Sequence, residues 1–275
     1  PAARELAWAW LGRIDAGAPG RLLPSFLDDP SAELRREAVA RELVAAEKLL
    51  ASEGGKEAAR PALKALFEHS RDPAQVEKIA KRLKELGESV DLSRHYGCVR
   101  EWRVLGPLEG LAPQARKADL PAGIPPHHAG FHLEYAPETR LDLELEHAGK
   151  SGPVRWKAVT SDHVHGLVDL NQALGKQKSA VAFALAEVDA PAAMPVELRA
   201  GTPNALKVWL NGEPLFRREE YHHGMSLDQH VAPAILRPGR NRILVKVCQN
   251  DQSEDWAQEW KFQLRVCDPT GKGAP

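Results

Sequence analysis

The spacing of apolar residues changes near residue 97, and this change constrains the fold more than any other feature. Before it, apolar side chains recur every three or four residues, the period of a helix that buries one face. After it, they alternate with polar or small residues, the period of a half-buried strand. The two patterns predict an α+β protein in which a helical domain, residues 1–93, precedes a β-sandwich domain, residues 97–275.

The helical part contains clear start signals. Ser31 follows Asp29-Pro30 as a candidate N-cap, and the apolar stripe after it predicts a helix over 31–52. Asp72-Pro73 predicts another helix, with the aspartate as N-cap, the proline as first residue and Gly87 as the stop.

The two Asp-Pro pairs suggest a repeat. They lie 43 residues apart, within the period of about 40 to 47 residues of HEAT-type repeats. We therefore expect HEAT-like helical repeats, with a plain helical bundle as the alternative. Because roughly three repeats are normally needed for stability, two predict further helical repeats upstream. The first residue, Pro1, is not a start methionine, which also suggests a piece of a longer protein.

The charge balance excludes two classes of partner. The 275 residues carry 37 Lys and Arg against 38 Asp and Glu, so the net charge is -1 and there is no field to hold nucleic acid or an anionic membrane. No uninterrupted apolar run reaches about 18 residues. We therefore expect no nucleic-acid partner and no membrane span.

The second part predicts seven or eight short strands with one buried face each, separated by Pro, Gly and Asn turns. The alternating runs are Trp102–Val104, Leu141–Leu145, Val154–Trp156, Val181–Leu185, Val196–Leu198, Val208–Leu210, Ile243–Val247 and Trp260–Val266. Between Gly106 and Gly130 lies a Pro-rich stretch that is not expected to form a ladder and is interpreted as a functional or a draped loop.

Three cysteines, Cys98, Cys248 and Cys267, leave at least one thiol unpaired. If the last two strands form a hairpin around 250–258, Cys248 and Cys267 lie roughly 23 Å apart along it. A disulfide needs Cα atoms within about 7 Å. We therefore expect no bridge between them unless the strands lie in different sheets.

Histidines form two groups. His163 and His165 are two residues apart and share one face of an extended segment, while His222-His223 lie beside Tyr221 with Asp228 close behind. Brought together, the two groups could ligate zinc. The alternative is that they are loop residues that bond the backbone, and because no recognised ligand spacing is present we predict no metal or other cofactor from the residues.

One aromatic side chain indicates binding. Val208 and Leu210 point inward, so Trp209 shares the outer face with Lys207 and Asn211. An exposed indole beside polar donors can stack on a sugar ring, whereas the alternative is an indole packed beneath a loop or against the helical domain. The candidate ligand-binding residues are Trp209, Asn211, Lys207, Tyr221, His222, His223 and Asp228.

The turns around the last strands resemble those of a known family. A strand runs into Asn211-Gly212, and later Gly239 and Asn241 form a turn into another strand. This pattern resembles the galactose-binding-like jelly roll, a sugar-binding domain found beside glycoside hydrolase barrels. With the preceding helices, the chain resembles large secreted bacterial proteins in which HEAT-like repeats precede such a jelly roll.

The resemblance implies a non-catalytic module of a larger exported protein, periplasmic or extracellular, that binds carbohydrate or a neighbouring protein domain, sometimes with a structural calcium. No GxSxG, HExxH, P-loop or GxGxxG motif is present, which favours a binding or scaffold role without excluding an enzyme. The alternatives are a purely structural protein-docking module, and a metal-dependent hydrolase or lyase that uses His163, His165 and His222.

Overall fold

The computed structural model describes residues 2–112 and 120–274, and the chain forms two compact units. Unit 1 contains the residues up to His95 together with Thr270–Lys272, and unit 2 contains Tyr96–Pro269 together with Gly273 and the residue after it. The protein is mixed α and β, and its strands pair in antiparallel sheets.

Unit 1 is helical. Its helices are α1 (Ala2–Ile14), α2 (Ala18–Leu22), α3 (Ala32–Ala51), α4 (Lys56–His69) and α5 (Pro73–Glu85), followed by α6 (Leu92–Tyr96), which ends at the boundary between the units. The predicted caps are confirmed, since the Ser31 side chain accepts from the Leu34 amide and the Asp72 side chain from the Gln75 amide.

The two Asp-Pro pairs do not occupy equivalent positions. Asp72 caps α5 directly, whereas Asp29 lies one turn before α3, where its carboxylate accepts from the Ser31 amide and pairs with Arg4. The helices that follow also differ, with 20 residues in α3 and 13 in α5. The HEAT-like repeat is therefore not confirmed, because the same dipeptide serves two different local structures.

Unit 2 contains the strands. They are β1 (Glu101–Glu109), β2 (His147–Gly149), β3 (Gly152–Val154), β4 (Lys157–Thr160), β5 (Val168–Asp169), β6 (Ala180–Ala190), β7 (Met194–Gly201), β8 (Ala205–Leu210), β9 (Glu213–Arg218), β10 (His230–Leu236), β11 (Gly239–Gln249) and β12 (Lys261–Cys267). Short helices α7 (Ala129–His132), α8 (Ala136–Thr139) and α9 (Leu170–Leu174) lie between them.

Two large antiparallel sheets form a sandwich. The larger has the order β4-β1-β6-β11-β8-β9, the smaller has the order β10-β7-β12-β5, and β2 and β3 form a separate pair. Side chains of both large sheets, such as Val245 and Leu198, belong to one buried apolar cluster. The shared cluster is the core of the sandwich.

A second apolar cluster covers the outer face of the six-stranded sheet. Phe131, Tyr135, Leu141 and Leu143 pack there against side chains of the sheet, and we call residues 129–143 the covering segment. The prediction of a strand over Leu141–Leu145 is therefore wrong: Leu141 and Leu143 pack onto the sheet from outside it, and Leu145 is exposed. For the same reason β6 is buried on both faces from Ala180 to Ala186 rather than on one.

Two further predictions are corrected. The Pro-rich stretch does contribute to a ladder, because β1 continues past a bulge to pair Leu108 and Glu109 with β6, while Pro113 lies outside the described residues. The strands that contain Cys248 and Cys267 lie in different sheets rather than in a hairpin, and all three cysteines are free thiols. Among the described helices, none has the length and hydropathy to cross a bilayer.

Candidate functional site

A cleft of about 450 Å³ opens on the outer face of the six-stranded sheet. Its floor consists of side chains from β6, β8, β11 and the turn after β8, and its wall is the end of the covering segment. Its lining includes Glu138, Leu141, Leu185, Trp209, Arg242 and Leu244. The cleft therefore has an apolar side beside the covering segment and a polar side toward the strand ends.

Trp209 lies at this cleft but is not an exposed platform. Its side chain points to the outer face as predicted, opposite Val208, yet only 7% of the residue is exposed, because the covering segment packs over it. The expectation of an exposed indole is therefore wrong, and the alternative of an indole beneath a loop describes its packing. Its exposed edge is part of the cleft floor.

Asn211 also lines the cleft, and its amide is engaged in the fold. Its backbone has φ 54°, a left-handed conformation that suits the first position of the tight Asn-Gly turn. Its Oδ1 accepts from the Arg242 amide at 2.9 Å, and its Nδ2 donates to Asn241 Oδ1 at 2.9 Å. The two turns on which the family resemblance depends are thus bonded to each other, so the pattern has a folding cause.

Arg240 and Arg242 form the polar side of the cleft, and Glu187 of β6 pairs with both of them. The Glu187 carboxylate lies 3.3 Å from Arg240 Nη1 and 3.0 Å from Arg242 Nε, and all three side chains are exposed or half-exposed. Each arginine retains N–H groups that can donate, and the carboxylate retains lone pairs that can accept. The ion pairs therefore hold hydrogen-bond donors and acceptors next to the apolar wall.

Lys246 anchors the covering segment. It is fully buried on β11, and its Nζ donates to Leu133 O at 2.7 Å, to Phe131 O at 3.3 Å and to Glu138 Oε1 at 2.7 Å. Because Glu138 lines the cleft, this buried lysine fixes one wall of it. Its alternation with Val245 and Val247 places it on the outer face, but sequence reasoning assigned it no role.

Lys207 lies on the same face beside Lys246. Its Nζ is 4.7 Å from the centre of the Phe131 ring, a cation–π contact. Burial lowers the pKa of Lys207, and the positive charge of Lys246 lowers it further. The predicted binding residue therefore contacts the covering segment, and it does not line the cleft.

Tyr221, His222 and His223 do not join the cleft. The Tyr221 ring lies 4.8 Å from that of His128, and burial raises the pKa of its hydroxyl. His222 Nε2 lies 2.8 Å from Asn250 Oδ1, whereas His223 is exposed. Their binding role stays a prediction.

Close to Tyr221, His132 of the covering segment and His128, which directly precedes that segment, pair with Glu219 after β9. His128 Nδ1 lies 3.0 Å from a Glu219 carboxylate oxygen, and His132 Nε2 lies 2.9 Å from both. Sequence reasoning missed this cluster, because the three residues are up to 91 positions apart and meet only when the covering segment folds back.

Asp228 lies in the turn before β10 and pairs with side chains of the four-stranded sheet. It pairs with Arg265 of β12 and lies 2.8 Å from Arg199 Nη1 of β7. Burial alone would raise the pKa of Asp228, but the hydrogen bonds and charges of the two arginines outweigh it and lower the pKa. The carboxylate of this predicted binding residue is therefore engaged in ion pairs with the protein's own arginines.

The proposed metal ligands do not form a ligand set. His163 and His165 lie in a turn rather than in an extended segment, and the His165 amide donates to His163 Nδ1 at 3.2 Å. Among residues 2–112 and 120–274, no three His, Cys, Asp or Glu side chains are grouped so that they could hold a metal ion. We therefore assign neither the zinc site nor the implied calcium to any of these residues.

A scan against models of known protein families finds no match, and a search of curated proteins finds none. Among solved structures, the chain is similar to a family 35 carbohydrate-binding module from Clostridium thermocellum, at 14% identity and a TM-score of 0.23, over 34% of this chain and 82% of that one. It is also similar to the Faecalibacterium prausnitzii β-glucuronidase, at 16% identity and 0.31, over 55% of this chain and 21% of that one.

A third similarity is to the Kluyveromyces marxianus β-glucosidase, at 10% identity and a TM-score of 0.25, over 32% of this chain. The chain spans 11% of that enzyme's length. TM-scores this low carry no argument about this protein, so its function has to be inferred from its own cleft.

Proposed function

We propose that unit 2 is a non-catalytic carbohydrate-binding module that holds its ligand in the cleft beside Trp209. One observation carries this proposal: a row of donors and acceptors lies directly beside an apolar wall. A pyranose ring has an apolar C–H face, and each hydroxyl both donates and accepts. Arg240 and Arg242, which line the cleft, and Glu187, which pairs with both, supply the donors and acceptors, while Leu244 and the indole edge supply an apolar floor.

The mixed charge of the cleft disfavours the other ligand classes. A phosphate or nucleic-acid site concentrates positive charge, whereas here the Glu187 carboxylate pairs with both arginines and offsets part of their charge. As part of this proposal the protein is exported, as the family resemblance implies.

A glycan array followed by isothermal titration calorimetry tests the proposal. Arg242→Ala is expected to weaken binding by about tenfold, since it removes charged hydrogen-bond donors from the cleft. Arg218→Ala is the matched control, because this exposed arginine of β9 lies opposite Leu206 in the strand register and does not line the cleft. Trp209→Ala is unsuitable, because it would also open a cavity under the covering segment. Absence of any glycan binding, or equal loss in both variants, would refute the proposal.

A second candidate, protein docking, is supported by α1. No residue of this helix is buried, and Leu6, Trp10 and Ile14 recur every four residues as exposed apolar side chains. Trp10→Ser is expected to leave the melting temperature of unit 1 unchanged and to abolish self-association of the chain, measured by sedimentation velocity. A wild-type chain that stays monomeric at high concentration would contradict this candidate.

A further inference from the structure

A second cleft of about 410 Å³ lies on the same sheet face. It is lined by residues of β1, β4 and β6 and by Leu143 of the covering segment. Leu185 of β6 lines both clefts, and Leu141 and Leu143, two residues apart, line one cleft each. The covering segment thus forms a wall for both.

The strand registers show that the clefts share one floor. Arg103 pairs with Ala158 and with Leu185, Leu185 with Leu244, and Leu244 with Trp209. Directly cross-strand residues stand on the same face of a sheet. One row of neighbours therefore crosses five strands, in the order Ala158, Arg103, Leu185, Leu244 and Trp209.

A second, more polar row lies two residues further along the strands. Glu101 pairs with Thr160, Glu187 pairs with Arg242, and Asn211 bonds the Arg242 backbone. All of these residues line one cleft or the other, and all are exposed except Asn211, which is half-buried. At about 4.8 Å per strand, the four intervals from β4 to β8 span roughly 19 Å, longer than one sugar ring.

We propose that the two clefts are subsites of one groove that binds a linear oligosaccharide across the strands, with Arg103 as a specificity residue of the second subsite. This inference rests on the proposed carbohydrate-binding function and adds the form of the ligand. Sugar rings lie against the wall formed by the covering segment, and their hydroxyls meet the polar row. Among the described residues Arg103 has no ion-pair partner, so its guanidinium is available to a ligand.

Calorimetric titration with cello-, manno- and xylo-oligosaccharides tests the inference, each series as mono-, di- and tetrasaccharide. We expect the tetrasaccharide of the recognised series to bind about tenfold more tightly than its disaccharide. Arg103→Ala is expected to abolish that advantage, while Arg218→Ala keeps it. Because Arg103 is exposed, an unchanged melting temperature should show that the variant is folded.

The outcomes separate the two proposals. Equal affinity for disaccharide and tetrasaccharide, or an unchanged advantage in Arg103→Ala, overturns the groove and leaves the carbohydrate-binding function standing. No binding by any of the three series overturns the groove, and the carbohydrate-binding function falls with it when the glycan array also shows no binding.

Discussion

Replacing Lys246 with methionine should destabilise unit 2 more than any other exchange of a charged side chain for an apolar one on this sheet face. The fully buried ammonium makes one ion pair with Glu138 and two bonds to backbone carbonyls of the covering segment. Breaking a buried pair while its partner stays charged costs about 3–5 kcal/mol, so we expect about 4 kcal/mol. For a unit of this size that corresponds to a melting temperature lower by about 8–16 °C.

Differential scanning calorimetry on a double-mutant cycle with Glu138→Gln measures the coupling. The Glu138→Gln exchange would remove the uncompensated charge, so the double variant should lose about 2 kcal/mol less than the sum of the single losses. Lys207→Met is the control, since Lys207 lies on the same face and its loss also relieves repulsion of Lys246. A loss below about 1 kcal/mol for Lys246→Met, or additive effects within about 0.5 kcal/mol, would refute the assignment of Lys246 as the anchor of the covering segment.

Three further variants test single features. Asp228→Asn should lower the free energy of unfolding by about 3 kcal/mol at neutral pH. Because the folded-state pKa of Asp228 is lowered, its stabilisation is present above the unfolded-state pKa and is lost as the pH falls through the folded-state pKa. Urea melts of the wild type and the variant should therefore converge in acid. Asn241→Ala should lower the free energy of unfolding by about 3 kcal/mol with an unchanged denaturant slope, because the buried side-chain amide makes four hydrogen bonds. A loss under about 1 kcal/mol would contradict a structural role for the hydrogen bonds that join the two turns. Ser31→Ala should cost about 1 kcal/mol in the melting of unit 1, and a neutral result would contradict its capping role.

The helical part was readable from the sequence because its signals are local. Ser31 and Asp72 cap the helices that follow them, as predicted, since a cap needs only an amide three residues away. The same locality explains the error over the repeat: two Asp-Pro pairs look alike as dipeptides, but one is a cap and the other an ion-pair partner of Arg4.

In unit 2 the sequence by itself determined which faces most strands bury and where the tight turns lie, because alternation and the Asn-Gly turn depend on near neighbours. Only the tertiary structure decided that the covering segment lies on the outer face, which buries Trp209 and makes a cleft wall from Leu141. That placement depends on Lys246, which bonds residues 108 to 115 positions away. A repeating pattern of residues reflects only neighbours within one helix or strand. It cannot indicate a contact over such a separation, so the cleft could be located only from the tertiary structure.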